Sequence, residues 1–378
     1  MAAARMRITR VEVRRLRSPF PPVPSRDVTM RPVDLGSTLV RVHTDTGLVG
    51  IGESWLVHGD DGALAEHVDG TLGPLLVGED ALDTERLWYL MWSVVKRMGF
   101  TKGLSAVDQA LWDLKAKHAG LPLYQLLGGS FAGGVTAYAT TPQRGVSYAD
   151  DLLGLVGHGF KAVKMAVGRG VEEDLRVASE AVERIGRSAR IAIDANGRYR
   201  LDEAVRLARA VEPLGLLWFE EPLPHTDLHG LAALTSRVAV PVAGFQEEAT
   251  IWRLREYLAA DALSVYNVCL ETCGGVSVAR KASALCEAWR RAFVPHGFGP
   301  AVNFAATLHV AVASPTCQWL EYPVPDPAAS DPRLLHWAPH VRNAAEFSVD
   351  AAGRLTPPDR PGLGVELDEA ALDDLTVA

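Results

Sequence analysis

The chain has 378 residues, 48% hydrophobic and 22% charged, with a formal net charge of -8. Such a composition is ordinary for a globular protein and excludes disordered and fibrous classes, and the length suits one barrel of about 250 residues plus a further module. The acidic balance leaves no basic surface for nucleic acid, and no apolar run reaches membrane-spanning length, so neither is expected as a partner.

The start, Met1-Ala2-Ala3-Ala4-Arg5, is not followed by the apolar stretch of a secretory signal, so a cytoplasmic location is expected. Arg5, Arg7, Arg10, Arg14, Arg15 and Arg17 are interspersed with Ile8, Val11, Val13 and Leu16, which predicts a first strand with an arginine-rich outer face. Ser37–Val42, a turn at Thr44-Asp45-Thr46-Gly47 and Leu48–Glu53 read as a hairpin. Leu82, Leu87, Leu90 and Met91, then Leu104, Val107, Ala110, Leu111 and Leu114, carry helical spacing. Residues 1–130 are therefore predicted to form an N-terminal α+β module.

From Val135 the rhythm changes. Short apolar runs recur at Val135–Ala139, Ala162–Val167, Arg190–Ile193, Leu216–Phe219, Ala239–Ala243, Ala262–Tyr266, Ala292–Pro295 and Cys317–Leu320. Helical segments such as Glu172–Ile185, Leu201–Val211 and Val276–Trp289 fill the gaps. This alternation predicts a (β/α)-barrel over residues 131–342. An open doubly wound sheet is disfavoured, because no Gly-x-Gly-x-x-Gly follows an early strand. Residues 343–378 are Pro- and Gly-rich and are expected to pack back on the first module. Cys269, Cys273, Cys286 and Cys317 lack metal-site spacing and read as buried thiols.

Barrel chemistry sits at the C-terminal strand ends. There the sequence places Lys164, Asp194, Glu220, the run Gln246-Glu247-Glu248, Asn267, His296 and Glu321. Asp194 and Glu220 fall on consecutive strands, so their carboxylates can converge on a hard cation such as Mg²⁺. The alternative for spacing alone is a salt-bridged rim.

The segments Ser105-Ala106-Val107-Asp108-Gln109-Ala110-Leu111-Trp112-Asp113-Leu114-Lys115, Leu121–Gly129, Gly159–Lys164, Ile193-Asp194-Ala195-Asn196-Gly197, Trp218-Phe219-Glu220-Glu221-Pro222, Pro295-His296-Gly297 and Trp319-Leu320-Glu321-Tyr322 occur in order. Through them the chain resembles the mandelate racemase/muconate-lactonizing branch of the enolase superfamily over nearly its whole length. The resemblance implies a modified TIM barrel, enolase-like, under an N-terminal capping domain. It also implies one Mg²⁺, a small carboxylate substrate and self-association into homo-oligomers. Asp194 and Glu220 match the first two metal ligands, His296 a general base, and Glu321 the group that hydrogen-bonds an enediolate. Lys164 matches the lysine that supports the substrate carboxylate.

Three positions depart from that pattern. Ala166 stands where the second strand's basic lysine belongs, on the inward face shared with Lys164. The third metal ligand falls on Gln246, with Glu247 one residue away as the alternative if a bulge reverses the strand face. Asn267 stands for the aspartate that partners His296, so the imidazolium loses an ionic stabiliser, and the Tyr266–Gly275 loop runs about two residues longer than the family pattern implies. His309, in an apolar helix, reads as structural.

One base without an opposing lysine suits a lyase, with acid-sugar dehydration through an enediolate as the specific expectation. An epimerase or cycloisomerase, or a rewired non-catalytic binding protein, are the alternatives. A phosphate barrel, signalled only by His296-Gly297-Phe298-Gly299, is the weakest. Substrate choice is expected from the loops Phe20–Arg31 and Trp55–Asp61.

Overall fold

In a computed structural model, residues 5–18, 35–55, 61–141, 148–327, 329–335 and 338–377 are described. The expected specificity loops, Phe20–Arg31 and all of Trp55–Asp61 but its two end residues, lie outside them.

The N-terminal module opens with an antiparallel sheet of β1 (Ile8–Ser18), β2 (Leu35–Thr44) and β3 (Val49–Trp55), in that order. The register shifts between Ile8 and Arg10, so the alternation read along β1 does not run in phase. Ile8 and Leu16 are buried, Val11 and Val13 only half so. Arg5, Arg7, Arg10 and Arg17 are exposed, whereas Arg14 and Arg15 are half-buried and Arg14 reaches Asp373 at 2.7 Å.

After short helical turns, two long helices follow, Thr84–Met98 and Lys102–Ala119. The second lies directly on β3: a Cβ on Gly52 would meet the Ala106 carbonyl oxygen at 2.0 Å, and one on Gly50 that of Ala110 at 2.1 Å. Only glycine permits this approach. Asp108, Gln109, Trp112 and Asp113 of this helix are buried and hydrogen-bonded. Asp108 accepts from the Ser277 amide (2.9 Å) and hydroxyl (2.7 Å), and Trp112 Nε1 donates to that hydroxyl at 2.8 Å. Gln109 Nε2 donates to Asn303 (3.1 Å), and Asp113 accepts from the amides of Ile51 (2.9 Å) and Leu363 (2.7 Å). The helix thus joins the module to the barrel by hydrogen bonds that burial makes costly to leave unmade.

All eight expected barrel strands form: β4 (Val135–Thr140), β5 (Ala162–Ala166), β6 (Arg190–Asp194), β7 (Phe219–Glu220), β8 (Val242–Gly244), β9 (Val265–Tyr266), β10 (Ala292–Phe293) and β11 (Trp319–Pro323). They pair in parallel from β4 to β10, and β11 returns to pair with β4. Among the described strands no ladder joins β10 to β11. That seam is closed at its mouth by the Gly297 amide, which donates to Glu321 Oε2 at 3.1 Å, and a Cβ on Gly297 would strike the Glu321 carbonyl at 2.0 Å. Inward-facing Tyr138, Ala162, Ala192, Trp218, Ala243, Val265 and Val294 fill the barrel floor.

The C-terminal segment contacts both units. Its strand β12 (Arg354–Leu355) pairs with β4, and its helix Glu369–Leu375 packs on β1. His309 is fully buried, accepting from the Tyr124 amide (3.1 Å) and donating to the Leu363 carbonyl (3.1 Å). Burial pushes its imidazole down to about 4, so it is neutral and structural. Cys269, Cys273 and Cys286 are buried free thiols, while Cys317 is half-buried.

A buried ion pair ties the stretch that follows β11 to β3. His340 Nε2 lies 3.3 Å from Glu53, which also accepts from the Ser37 hydroxyl (2.6 Å) and the Val302 amide (3.0 Å). Burial alone would raise the Glu53 carboxyl, but His340 and these hydrogen bonds outweigh it and lower it. Burial likewise opposes the His340 charge, yet Glu53 raises its imidazole above the ordinary 6.5. The histidine's contribution is therefore complete below 6.5 and is lost as pH rises through its raised value. Urea denaturation should show H340Q less stable by about 3–5 kcal/mol at pH 6, with the difference shrinking as pH rises.

Candidate active site at the barrel mouth

The inward parity of β5, β6, β7 and β11 brings Lys164, Asp194, Glu220 and Glu321 to one point. The Lys164 ammonium sits 2.5 Å from Glu220 Oε1, 3.0 Å from Glu321 Oε1 and 3.1 Å from Asp194 Oδ2. All four side chains are buried, with Glu220 at 0% and Glu321 at 1% exposure. Each carboxylate has a further support. Trp218 Nε1 donates to Glu220 Oε2 at 2.9 Å, the Thr140 hydroxyl to Glu321 Oε1 at 2.7 Å, and the Asn196 amide to Asp194 Oδ1 at 2.9 Å.

The shared ammonium divides the carboxylates electrostatically. Burial would raise Glu321, but Lys164 first, then His296 and the Thr140 hydroxyl, pull it down to about 2. For Glu220 burial prevails over Lys164, and the neighbouring Asp194 and Glu321 charges add to it, moving the group up to about 8. Lys164 loses to burial yet gains more from the three carboxylates, so it stays charged. These two directions compete across one 2.5 Å contact. The lysine's charge prevails, because three buried carboxylates share it and their mutual repulsion then falls on Glu220.

His296 faces this cluster from the end of β10, its Nε2 3.5 Å from Glu321 Oε2. The expected hydrogen bond from Asn267 does not form. Asn267 is fully buried, donates Nδ2 to the Val294 carbonyl at 3.2 Å, and leaves Oδ1 without a partner, as His296 leaves Nδ1. An asparagine has no charge to hold the imidazole, and Glu321 is the carboxylate nearest to it. The long Tyr266–Gly275 loop contains a short helix, Leu270–Cys273, whose Glu271 accepts from Trp55 Nε1 at 2.6 Å. The extra residues therefore reach across to the capping sheet.

At β8 the backbone decides between Gln246 and Glu247. Phe245 has φ +93°, which swings its ring outward against Tyr257 and Tyr266 and turns Gln246 inward. Gln246 is buried, and Glu247 is exposed at the rim. Gln246 Nε2 donates to Glu221 Oε2 at 2.9 Å. Ala166 pairs beside Asp194 and presents only a methyl group at the mouth.

Sequence reasoning missed Thr140, Trp218 and Tyr138, whose phenol lies buried beside the cluster. Their signal was parity: each shares an inward face with a strand-end residue on its own or a neighbouring strand. Glu221 gave no such signal, since alternation places it opposite Glu220.

As oxygen donors, Asp194, Glu220 and the partnerless Oε1 atoms of Glu221 and Gln246 fit a hard divalent cation. Among the described residues, however, no three acidic or histidine side chains form a ready-made cage, because the carboxylates are drawn onto Lys164. A cation held there would compete with that ammonium for Asp194 and Glu220.

The fold and mouth are those of an enolase-type barrel with its capping domain. Residues 147–371 match the enolase C-terminal domain-like family, and residues 11–128 match the mandelate racemase/muconate lactonizing enzyme N-terminal domain. The chain belongs to this family of the enolase superfamily. It is 31% identical to D-galactarolactone cycloisomerase of Agrobacterium fabrum, covering 98% of both chains. It is 32% identical to arabinonate dehydratase of Saccharolobus solfataricus over 91% of each. A solved racemase from Streptomyces coelicolor A3(2) with bound magnesium superposes with a TM-score of 0.84 at 30% identity, over 98% of this chain and 100% of that one.

Removing the shared ammonium should expose its structural role. K164M leaves three carboxylates buried together without their cation, which should cost about 3–5 kcal/mol at pH 7. Their carboxyl groups are then raised, so K164M should regain stability as pH falls towards 5, a trend urea midpoints would resolve.

Proposed function

We propose that this enzyme removes the proton next to a carboxylate of an acid sugar and expels the β-hydroxyl as water, with Mg²⁺ as its cofactor. The observation that carries this reading is the one-sided mouth. His296 faces the carboxylate cluster, while the position beside Asp194 offers only the Ala166 methyl group. A racemase needs a base on each face. An elimination needs one.

A divalent cation held by Asp194, Glu220 and a third oxygen donor would stabilise the charge that develops on the substrate carboxylate. Lys164, turned off the metal ligands, pairs with that carboxylate. His296 takes the α-proton, the neutral imidazole becoming imidazolium. The C–O bond to the β-carbon then breaks, a C=C bond forms, and the same imidazolium returns its proton to the departing hydroxide. Glu321 donates a hydrogen bond to the developing enediolate only when it carries a proton. Loss of the Lys164 contact that now holds it ionised supplies the condition for that.

The cycloisomerase reading shares this first step and differs in the leaving group, which is then a ring oxygen. The relatives named for a galactarolactone and for arabinonate make those two compounds the first substrates to try. Magnesium titration by calorimetry should show one site per chain, weaker than micromolar. Turnover in D₂O should place deuterium on one face only, and racemisation of both enantiomers would sink the one-base reading. H296N should lose nearly all activity, a drop of at least about a hundredfold, while its melting temperature holds. Retained activity would move the base elsewhere, with Lys164 the next to test; Tyr266 packs outward against Phe245 and is no longer a candidate.

A further inference from the structure

A cation at this mouth lacks the third carboxylate that the fifth barrel strand would supply, because Gln246 is neutral. The structure offers another. Glu221 follows Glu220 directly, and on a regular strand the two would face opposite sides. Instead the strand has ended and Glu221 takes φ +38°, a left-handed conformation unusual for glutamate. Its amide donates to the Ala243 carbonyl at 2.9 Å, and its carbonyl accepts from the Gly197 amide at 2.8 Å. These two bonds fix the turned backbone between β6 and β8.

The side chain is 8% exposed, and Gln246 Nε2 donates to its Oε2 at 2.9 Å. Two acceptor oxygens then remain with no hydrogen-bond partner: Glu221 Oε1 and Gln246 Oε1, the latter also on an 8% exposed residue. A buried oxygen without a donor is costly, and a buried carboxylate oxygen more so. Two of them on bonded side chains, next to Asp194 and Glu220, make a donor set that a hard cation satisfies and an N–H donor does not supply here.

Resting on the metal-dependent reading above, we propose that Glu221 is the third carboxylate ligand of the cation, and that Gln246 positions it. The glutamine's amide hydrogens hold Oε2, which leaves Oε1 for the metal. The site then recovers three carboxylates from two consecutive residues and one strand, and the loss of acid on the fifth strand is offset by its neighbour.

The test is Mn²⁺ binding to the whole protein, followed by electron paramagnetic resonance, with no substrate and no turnover. Wild type should bind one Mn²⁺. E221Q, which keeps shape and hydrogen-bonding reach, should bind at least about tenfold more weakly, with its metal-free melting temperature unchanged or higher. Q246A should weaken binding by less, and Q246A carrying E221Q should be no worse than E221Q alone. Wild-type affinity in E221Q overturns the assignment while leaving the metal reading intact. A Q246A variant that loses binding when E221Q does not gives the position to Gln246 itself and also overturns it. No Mn²⁺ binding by wild type overturns both.

Discussion

Three buried carboxylates from three strands of one barrel lie together as anions only at a high cost unless a cation lies among them, and Lys164 is that cation here. Its ammonium touches Asp194, Glu220 and Glu321 within 3.1 Å. Isolated, each of these anions would be strongly disfavoured in the interior. Together with one lysine they still carry more negative than positive charge. The mouth of the barrel is thus a region held together by one positive charge shared among more negative ones. The surrounding donors, Trp218, Thr140 and the Asn196 amide, fix the carboxylates in orientation without adding charge.

The capping helix solves a different problem with similar means. Its Asp108, Gln109, Trp112 and Asp113 are polar or hydrogen-bonding groups on a helix that the sequence marks by apolar spacing. In space they are bonded to Ser277, Asn303, Ile51 and Leu363, and none reaches the mouth. Burial raises the Asp108 carboxyl to about 7 in spite of two bonds from Ser277, a shift that belongs to packing. A perturbed acid marks a functional site only when it also faces a cleft.

The barrel was legible because its strands are short apolar runs whose ends change abruptly to polar residues. Lys164, Asp194, Glu220, His296 and Glu321 could each be placed by that rule, and the structure gathers them. What escaped depended on single dihedral angles. Asn267 lies on the right strand, yet its amide turns to Val294, and no residue pattern encodes that rotation. The choice between Gln246 and Glu247 hangs on the positive φ of Phe245, and the turn of Glu221 on its own. Both residues are types for which that backbone is uncommon, so composition gave no warning. Tyr138, Thr140 and Trp218 were recoverable by counting back along each strand in steps of two, a periodicity that extends inward from every strand end.

The seam between β10 and β11 has a mechanical meaning. Every other neighbouring pair of barrel strands is clamped by backbone hydrogen bonds, whose geometry allows little sliding. His296 and Glu321 stand on the two sides of the unclamped joint, connected through the Gly297 amide and the glutamate's own side chain. Glu321 therefore bridges the joint in two ways, with its side chain accepting from the Gly297 amide and its backbone packed where a Cβ on Gly297 would sit. The two residues that meet across the mouth on this side are thus mounted on strands that no backbone ladder holds together, and side-chain contact does there what main-chain pairing does elsewhere around the barrel.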